Sequence, residues 1–302
     1  MRILRDYFIL MVTACLIALP CYPSTDRTGT SAADYLKLCG GVRAAGMGEA
    51  FVAVADDSSA IYWNPAGMAL FRSNEISSMY TSWFQGISLT NVSGVGWILG
   101  NRVGLSVTYL DMGVIEETTM AQPAGTGRKF TPNDTIVTFS HARKMLPGIS
   151  VGASLKVIND TIDRSTVAGC ALDCGVIFRT PVKGLNAGLV VKNLGSLGAD
   201  NPLPFSTRMG MAYYFYNNKS LLLACDINIP NDDLVTLHTG VEFSVTDFLY
   251  LRFGINSRNE EMAGGNLSAG LGFSWDGLGI DYAYAPYGDL GEVHRASISI
   301  RF

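Results

Sequence analysis

Residues 295–302 read Arg295-Ala296-Ser297-Ile298-Ser299-Ile300-Arg301-Phe302: Ala296, Ile298, Ile300 and Phe302 alternate with four polar or charged residues. A period of two puts the apolar set on one face of a β-strand and the polar set on the other. The same texture extends upstream. Leu267, Ala269, Leu271, Phe273 and Trp275 alternate with Ser268, Gly270, Gly272 and Ser274. An Asp276-Gly277 turn then leads into Leu278, Ile280, Tyr282 and Tyr284. Ile149, Val151, Ala153, Leu155 and Val157, and likewise Val103, Leu105, Val107 and Tyr109, repeat the pattern.

Taken back to residue 76, the alternation predicts fourteen strands, near 76–84, 87–99, 102–112, 133–143, 149–162, 166–180, 185–195, 204–216, 220–229, 234–246, 248–258, 266–275, 278–287 and 292–302. They average about the ten residues that a tilted strand needs to cross a bilayer. Tight turns (Gly100-Asn101, Thr246-Asp247, Asp276-Gly277) alternate with longer connections such as 113–132, 196–203 and 257–265. The fold class expected is therefore all-β, a 14-stranded antiparallel transmembrane β-barrel, with the short turns on the periplasmic side. A soluble β-sandwich is the competing reading. It would charge its outer faces, whereas the second face here is mostly Gly, Ser, Thr and Asn, which suits a lumen.

Composition agrees. Of 302 residues 48% are hydrophobic and only 16% charged, against about 25% charged in a soluble domain. No run after Pro20 approaches the ~18 apolar residues of a spanning helix. A net charge of −4 without a basic stripe argues against nucleic acid as a partner.

Arg2 and Arg5 precede an apolar stretch ending at Pro20, the order of a cleaved signal peptide over 1–21; Val12-Thr13-Ala14-Cys15 is the competing, lipoprotein-like reading. Cys170 and Cys174 share a strand face about 13 Å apart, beyond disulfide reach, and read as small apolar outward residues. Three histidines without a paired spacing give no metal site, and no cofactor motif is present. No serine–histidine constellation of a phospholipase-type enzyme is recognisable, so a non-enzyme is expected.

Between the leader and the first strand, residues 25–71 are irregular, with short helices expected near 32–38 and 66–71. Within them lie Gly46-Met47-Gly48-Glu49-Ala50, then Ala55-Asp56-Asp57, then Asn64-Pro65-Ala66. This order and spacing resemble the N-terminal hatch of the FadL-type outer-membrane transporters of long-chain fatty acids and other hydrophobic compounds, and also the start of the related PorV/PorQ-type barrels. The resemblance implies three parts: leader 1–21, hatch 22–71 inside the lumen, barrel 72–302. It further implies passive uptake of a hydrophobic molecule, long-chain fatty acids foremost, by way of an apolar lumen pocket beside the hatch and lateral exit into outer-membrane lipid. A PorV-like role as partner or shuttle of a secretion system is the alternative, which would bring a protein partner. The terminal Phe302 is similar to the aromatic signal read by the barrel assembly machinery.

Gly46, Gly48, Asp56, Asp57, Asn64 and Pro65 are the expected hatch and gating residues; glycines permit close packing against a wall, and Asn64 before Pro65 fits a helix cap. Turn and cap formation is the competing reading of Asp56, Asp57 and Asn64. Met112, Ile115, Met120, Phe130 and Arg128 are the expected capture surface in the 113–132 loop, methionine adapting to varied apolar ligands. Arg128, Lys129, Arg208 and Arg252 are the cations that could meet a carboxylate head group. A break in strand pairing, and with it the lateral gap, is expected around Asp111-Met112-Gly113.

Overall fold

The computed structural model describes residues 29–38, 40–199, 201–215, 220–257 and 266–302; the predicted leader over 1–21 lies outside them. Fourteen strands follow one another in chain order: β1 (Glu75–Ser82), β2 (Ser88–Ile98), β3 (Asn101–Asp111), β4 (Asn133–Leu146), β5 (Ile149–Ile162), β6 (Ser165–Arg179), β7 (Leu185–Leu197), β8 (Ser206–Tyr214), β9 (Leu221–Pro230), β10 (Thr236–Ser244), β11 (Leu249–Asn256), β12 (Leu267–Trp275), β13 (Leu278–Pro286) and β14 (Glu292–Arg301). Each pairs antiparallel with the next, and β14 returns to β1 with Glu75 opposite Arg301 and Ser82 opposite His294. The sheet is a closed barrel, so no edge is left for hydrocarbon to meet.

The alternation legible in the sequence is the alternation of the wall. Leu105, Val107, Phe139, Leu155, Leu271, Ile280, Ile298 and Ile300 point outward and are exposed, which in water would be an untenable apolar surface and in lipid is the stabilising one. Trp97, Trp275, Phe178 and Phe248 sit near the short-turn end, with Phe248 packed edge-on to Phe273 and Trp275, the position of an aromatic belt.

The short β5–β6 link left by the predicted strands is the Asp163-Arg164 turn, with Asp163 at φ +54°, and two other expectations about connections change. The 113–132 segment is a small hairpin of its own, with Ile115 opposite Phe130 and Glu116 opposite Lys129. Nor does pairing break at Asp111-Met112-Gly113: β3 is laddered to β2 from Ser88↔Asp111 to Ile98↔Asn101 and to β4 from Asp111↔Asn133 to Arg102↔Ala142. Both ladders run to Asp111, the end of the strand, and Met112 N donates on to Pro132 O at 3.1 Å, so β3 is paired on both sides up to its last residue.

Among the described residues before β1 there are two short helices, α1 (Val42–Gly46) and α2 (Ala60–Trp63), and 3-10 turns at Asp34–Lys37 and Pro65–Leu70. Their buried residues, among them Val42, Met47, Phe51, Val54, Ile61, Trp63 and Met68, form the central cluster together with inward wall residues such as Leu89, Val95, Leu110, Ile177 and Ala212. A second cluster joins Ala33 and Leu36 to Ile136, Ile158, Ala171, Leu197 and Leu203.

Candidate functional site

The candidate site is the contact between residues 40–71 and the wall, and small residues make it possible. Gly48, at φ +63°, lies so close to β10 and β11 that a Cβ would stand 2.7 Å from Ile255 N and 2.9 Å from Thr239 O. A Cβ on Gly46 would stand 3.0 Å from Gly270 Cα. The wall reciprocates with inward glycines. Gly188 would meet Val52 O at 2.6 Å and Gly104 would meet Met68 Sδ at 2.7 Å, while Gly152 faces Pro65 and Ala66, Gly175 faces Asn64, and Gly240 and Gly254 face Met47 and Gly48. Backbone therefore seats on backbone around much of the circumference, where any side chain would hold the two apart.

Polar side chains fasten the seat. Arg43 on α1 donates from Nε to Glu242 Oε2 at 2.7 Å and from Nη2 to Glu242 Oε1 at 2.8 Å; its Nη1 reaches Asp56 at 2.5 Å and Asp57 at 3.5 Å. Arg252 on β11 shares Glu242 at 2.7 Å and pairs with Asp281. Tyr214 Oη donates to Asp56 at 3.3 Å. Asp226 on β9 accepts the backbone N–H groups of Phe51 and Val52 at 2.8 and 3.0 Å. His238 Nδ1 lies 2.8 Å from Gly48 O, and Arg208 donates to Glu49 O at 3.1 Å with its guanidinium 5.0 Å from the Trp63 ring.

Asn64 does two things at once. Its Oδ1 accepts Ala66 N at 3.2 Å, capping the 3-10 turn that Pro65 opens, while its Nδ2 donates to Val52 O and, across the contact, to Val176 O on β6. Asp57 accepts Ser59 N at 3.0 Å in a local turn. Burial pushes its carboxyl up to about 6 against the pull of Arg43, with Glu75 and Asp56 adding to the rise.

Beside this contact lies a polar cavity of about 220 Å³ bounded by Arg43, Asp57, Glu75, Ser77, Ser297 and Arg301 among others. A smaller one of about 50 Å³, bounded by Leu36, Leu38, Ile61, Met79, Leu89 and Ile136, is more apolar.

The expected residues thus divide. Gly46, Gly48, Asp56, Asp57, Asn64 and Pro65 come together at one contact. Of Met112, Ile115, Met120, Phe130 and Arg128, Met112 packs on the central cluster, while the other four lie on the 113–132 hairpin, with Ile115 opposite Phe130, Met120 and Ile115 exposed and Phe130 half-buried. Arg128 is held by Glu117 at 2.9 Å and by Asp163, Arg208 and Arg252 are held as above, and Lys129 is exposed. Sequence reasoning missed Arg43, Asp226, His238 and Glu242. For Asp226, His238 and Glu242 the signal available was a polar or charged residue at an inward position of a spanning strand, which must find a partner.

Residues 23–170 match the family model described as "Uncharacterised protein family (UPF0164)". No curated protein matches the chain. Among solved structures, the fold is similar to the Ralstonia pickettii toluene transporter TbuX (TM-score 0.63, 13% identity, 87% of this chain and 98% of that one). It is also similar to the Pseudomonas putida toluene transporter TodX (0.63, 11%, 86% and 96%) and to the CymD monoaromatic hydrocarbon channel (0.62, 13%, 87% and 97%). The chain thus shares its barrel fold with these proteins over nearly their whole length.

Proposed function

We propose that this protein sits in the outer membrane and lets hydrophobic molecules, monoaromatic hydrocarbons or long-chain fatty acids, pass down their gradient. The observation that carries the reading is an apolar cluster on the inner face of the wall: Ile136, Ile158, Ala171, Leu197 and Leu203, with Leu36 of the N-terminal segment among them. A hydrophilic channel gains nothing from apolar residues in its lumen, whereas an apolar solute gains about 25 cal/mol per Å² buried there. Residues 40–71 act as a hatch below this cluster, with Gly46, Gly48, Asp56, Asp57, Asn64 and Pro65 as the contacts that shift on opening. Lateral exit into lipid spares the solute an aqueous crossing. The 113–132 hairpin, with Met120 and Ile115 exposed, is the first surface met from outside, and Phe302 is read by the barrel assembly machinery.

The test is uptake of labelled toluene and oleate by transporter-null cells expressing the chain. Uptake of either above the empty-vector level supports the proposal. Uptake of neither, with a protein co-purifying stoichiometrically, overturns it in favour of a secretion-partner role.

A further inference from the structure

On the short-turn side of the barrel the β4–β5 and β6–β7 turns lie next to each other, tied by Arg179 N donating to Gly148 O at 2.7 Å. Together they carry four cations. Arg143 and Lys144 stand at the end of β4, Arg179 at the end of β6 and Lys183 in the turn after it, and all four are exposed. Among the described residues, no acidic side chain of β4 to β7 offsets them at this end: Asp134, Asp160 and Asp163 lie toward the other end of the strands, and Asp173 is buried in the middle of β6. The acids of the described short turns are Asp247 and Asp276, which belong to the β10–β11 and β12–β13 turns on the far side of the ring.

The same turns expose apolar side chains among the cations: Met145, Leu146 and Val182, with Phe178 on the strand end between them. Arg143 follows Phe139 and His141 along the outer face of β4 and stands opposite Val151 of β5. A cation on that face is costly at mid-bilayer and nearly free at the lipid–water boundary, where its long stem carries the guanidinium out to the head groups. Exposed methionine, leucine and valine at a turn are unfavourable in open water and favourable at the edge of the acyl chains. Cations and apolar side chains interleaved in this way fit an amphiphile better than a soluble acidic protein.

We propose that the β4–β5 and β6–β7 turns together bind an anionic phospholipid of the leaflet that faces the periplasm. The inference rests on the outer-membrane reading above. The guanidinium groups of Arg143 and Arg179 offer paired N–H donors to the phosphate oxygens, and Lys144 and Lys183 add compact charge beside them. The acyl chains run up the outer face past Leu146, Phe178 and Val176, all exposed there. A zwitterionic lipid gains less, because its own cation meets the same four charges. The attraction of each lysine or arginine to an anionic lipid surface adds to that of its neighbours, so one arc of the barrel holds such a lipid while the arc with Asp247 and Asp276 does not.

The test is lipid selectivity at the barrel surface. The full chain is folded into phosphatidylcholine vesicles that carry a trace of spin-labelled phosphatidylglycerol or of spin-labelled phosphatidylcholine, and the fraction of each label immobilised by the protein is read from its spectrum. Phosphatidylglycerol is expected to associate about fivefold more firmly than phosphatidylcholine, the factor that one cation near an anionic surface is worth, and high salt should erase the difference. Arg143→Gln combined with Lys144→Gln, Arg179→Gln and Lys183→Gln should bring the two lipids level. Arg72→Gln, which removes an exposed cation just before β1, is the control and should leave the preference unchanged. No preference in the parent chain, one that the four glutamines leave intact, or one that Arg72→Gln abolishes as well overturns the site alone. A chain that does not enter vesicles as a heat-modifiable barrel overturns the membrane reading, and the site with it.

Discussion

Arg43 of the N-terminal segment grips Glu242 of β10 with two parallel hydrogen bonds, 2.7 and 2.8 Å long, across 199 residues of sequence. Both side chains are largely buried, 17% and 9% exposed, and each has further partners, Asp56 and Asp57 for Arg43 and Arg252 for Glu242, so the pair is the link between two charge clusters. Fork-to-carboxylate geometry of this kind is specific to arginine.

Breaking that grip should free the N-terminal segment without dissolving the barrel. Glu242→Gln leaves the Arg43 charge short of a partner, a loss of about 3 kcal/mol for a buried pair. Hydrogen exchange over residues 42–57 is expected to accelerate while that of β4 to β6 stays slow. Equal protection in both regions would show that the pair does not anchor the hatch.

Acidification should tighten the N-terminal segment. The Asp57 carboxyl in place is pushed up to about 6, above its ordinary value of 3.8, so the folded segment holds that proton more firmly than the unfolded one. The contribution of this group to stability is therefore full below about pH 4 and is lost as pH rises through 6. The groups around Asp57 are Arg43, Asp56, Glu75 and Ser59. Protection over residues 42–57, relative to the intrinsic exchange rate at each pH, should be higher at pH 4.5 than at pH 7, and Asp57→Asn should flatten that difference; a pH dependence unchanged in the variant would assign it to another group.

Filling one seat should lift the N-terminal segment off the wall. A Cβ at Gly254 would overlap Gly48 N and Met47 C, both backbone atoms with little room to give. Gly254→Ala is expected to cost about 1–3 kcal/mol of hatch packing and to make residues 40–71 accessible to protease in purified, still heat-modifiable barrel. The paired control is Gly94→Ala, whose Cβ would meet nothing closer than 3.8 Å and should change neither.

Closure should depend on the last residue. Phe302 and Asn74 exchange backbone hydrogen bonds, Asn74 N to Phe302 O at 2.9 Å and Phe302 N to Asn74 O at 3.1 Å, just beyond the β1–β14 ladder. Removing Phe302 is expected to lower the yield of folded barrel in outer-membrane fractions while export continues; a full yield would remove the assembly role.

Much of this architecture was local and so readable from the chain alone. A period of two needs only near neighbours, and it placed all fourteen strands, the outward set of Leu105, Leu271 and Ile300, and the inward glycines. Asn64 before Pro65 announced its own cap for the same reason: donor and acceptor are two residues apart. What closure decided was which distant groups meet. Arg43 finds Glu242, and Asp226 finds the Phe51 and Val52 amides, only because a ring of fourteen strands brings β9 and β10 around to the N-terminal segment. A β-bulge between β6 and β7 was hidden as well. Between Leu189 and Leu194 the alternation slips by one residue, which in sequence is indistinguishable from an ordinary irregularity. Only the partner strand, offering Asp173 to two residues at once, shows that the slip is built in. Periodicity is a property of one strand; register belongs to a pair, and a lumen to the whole ring.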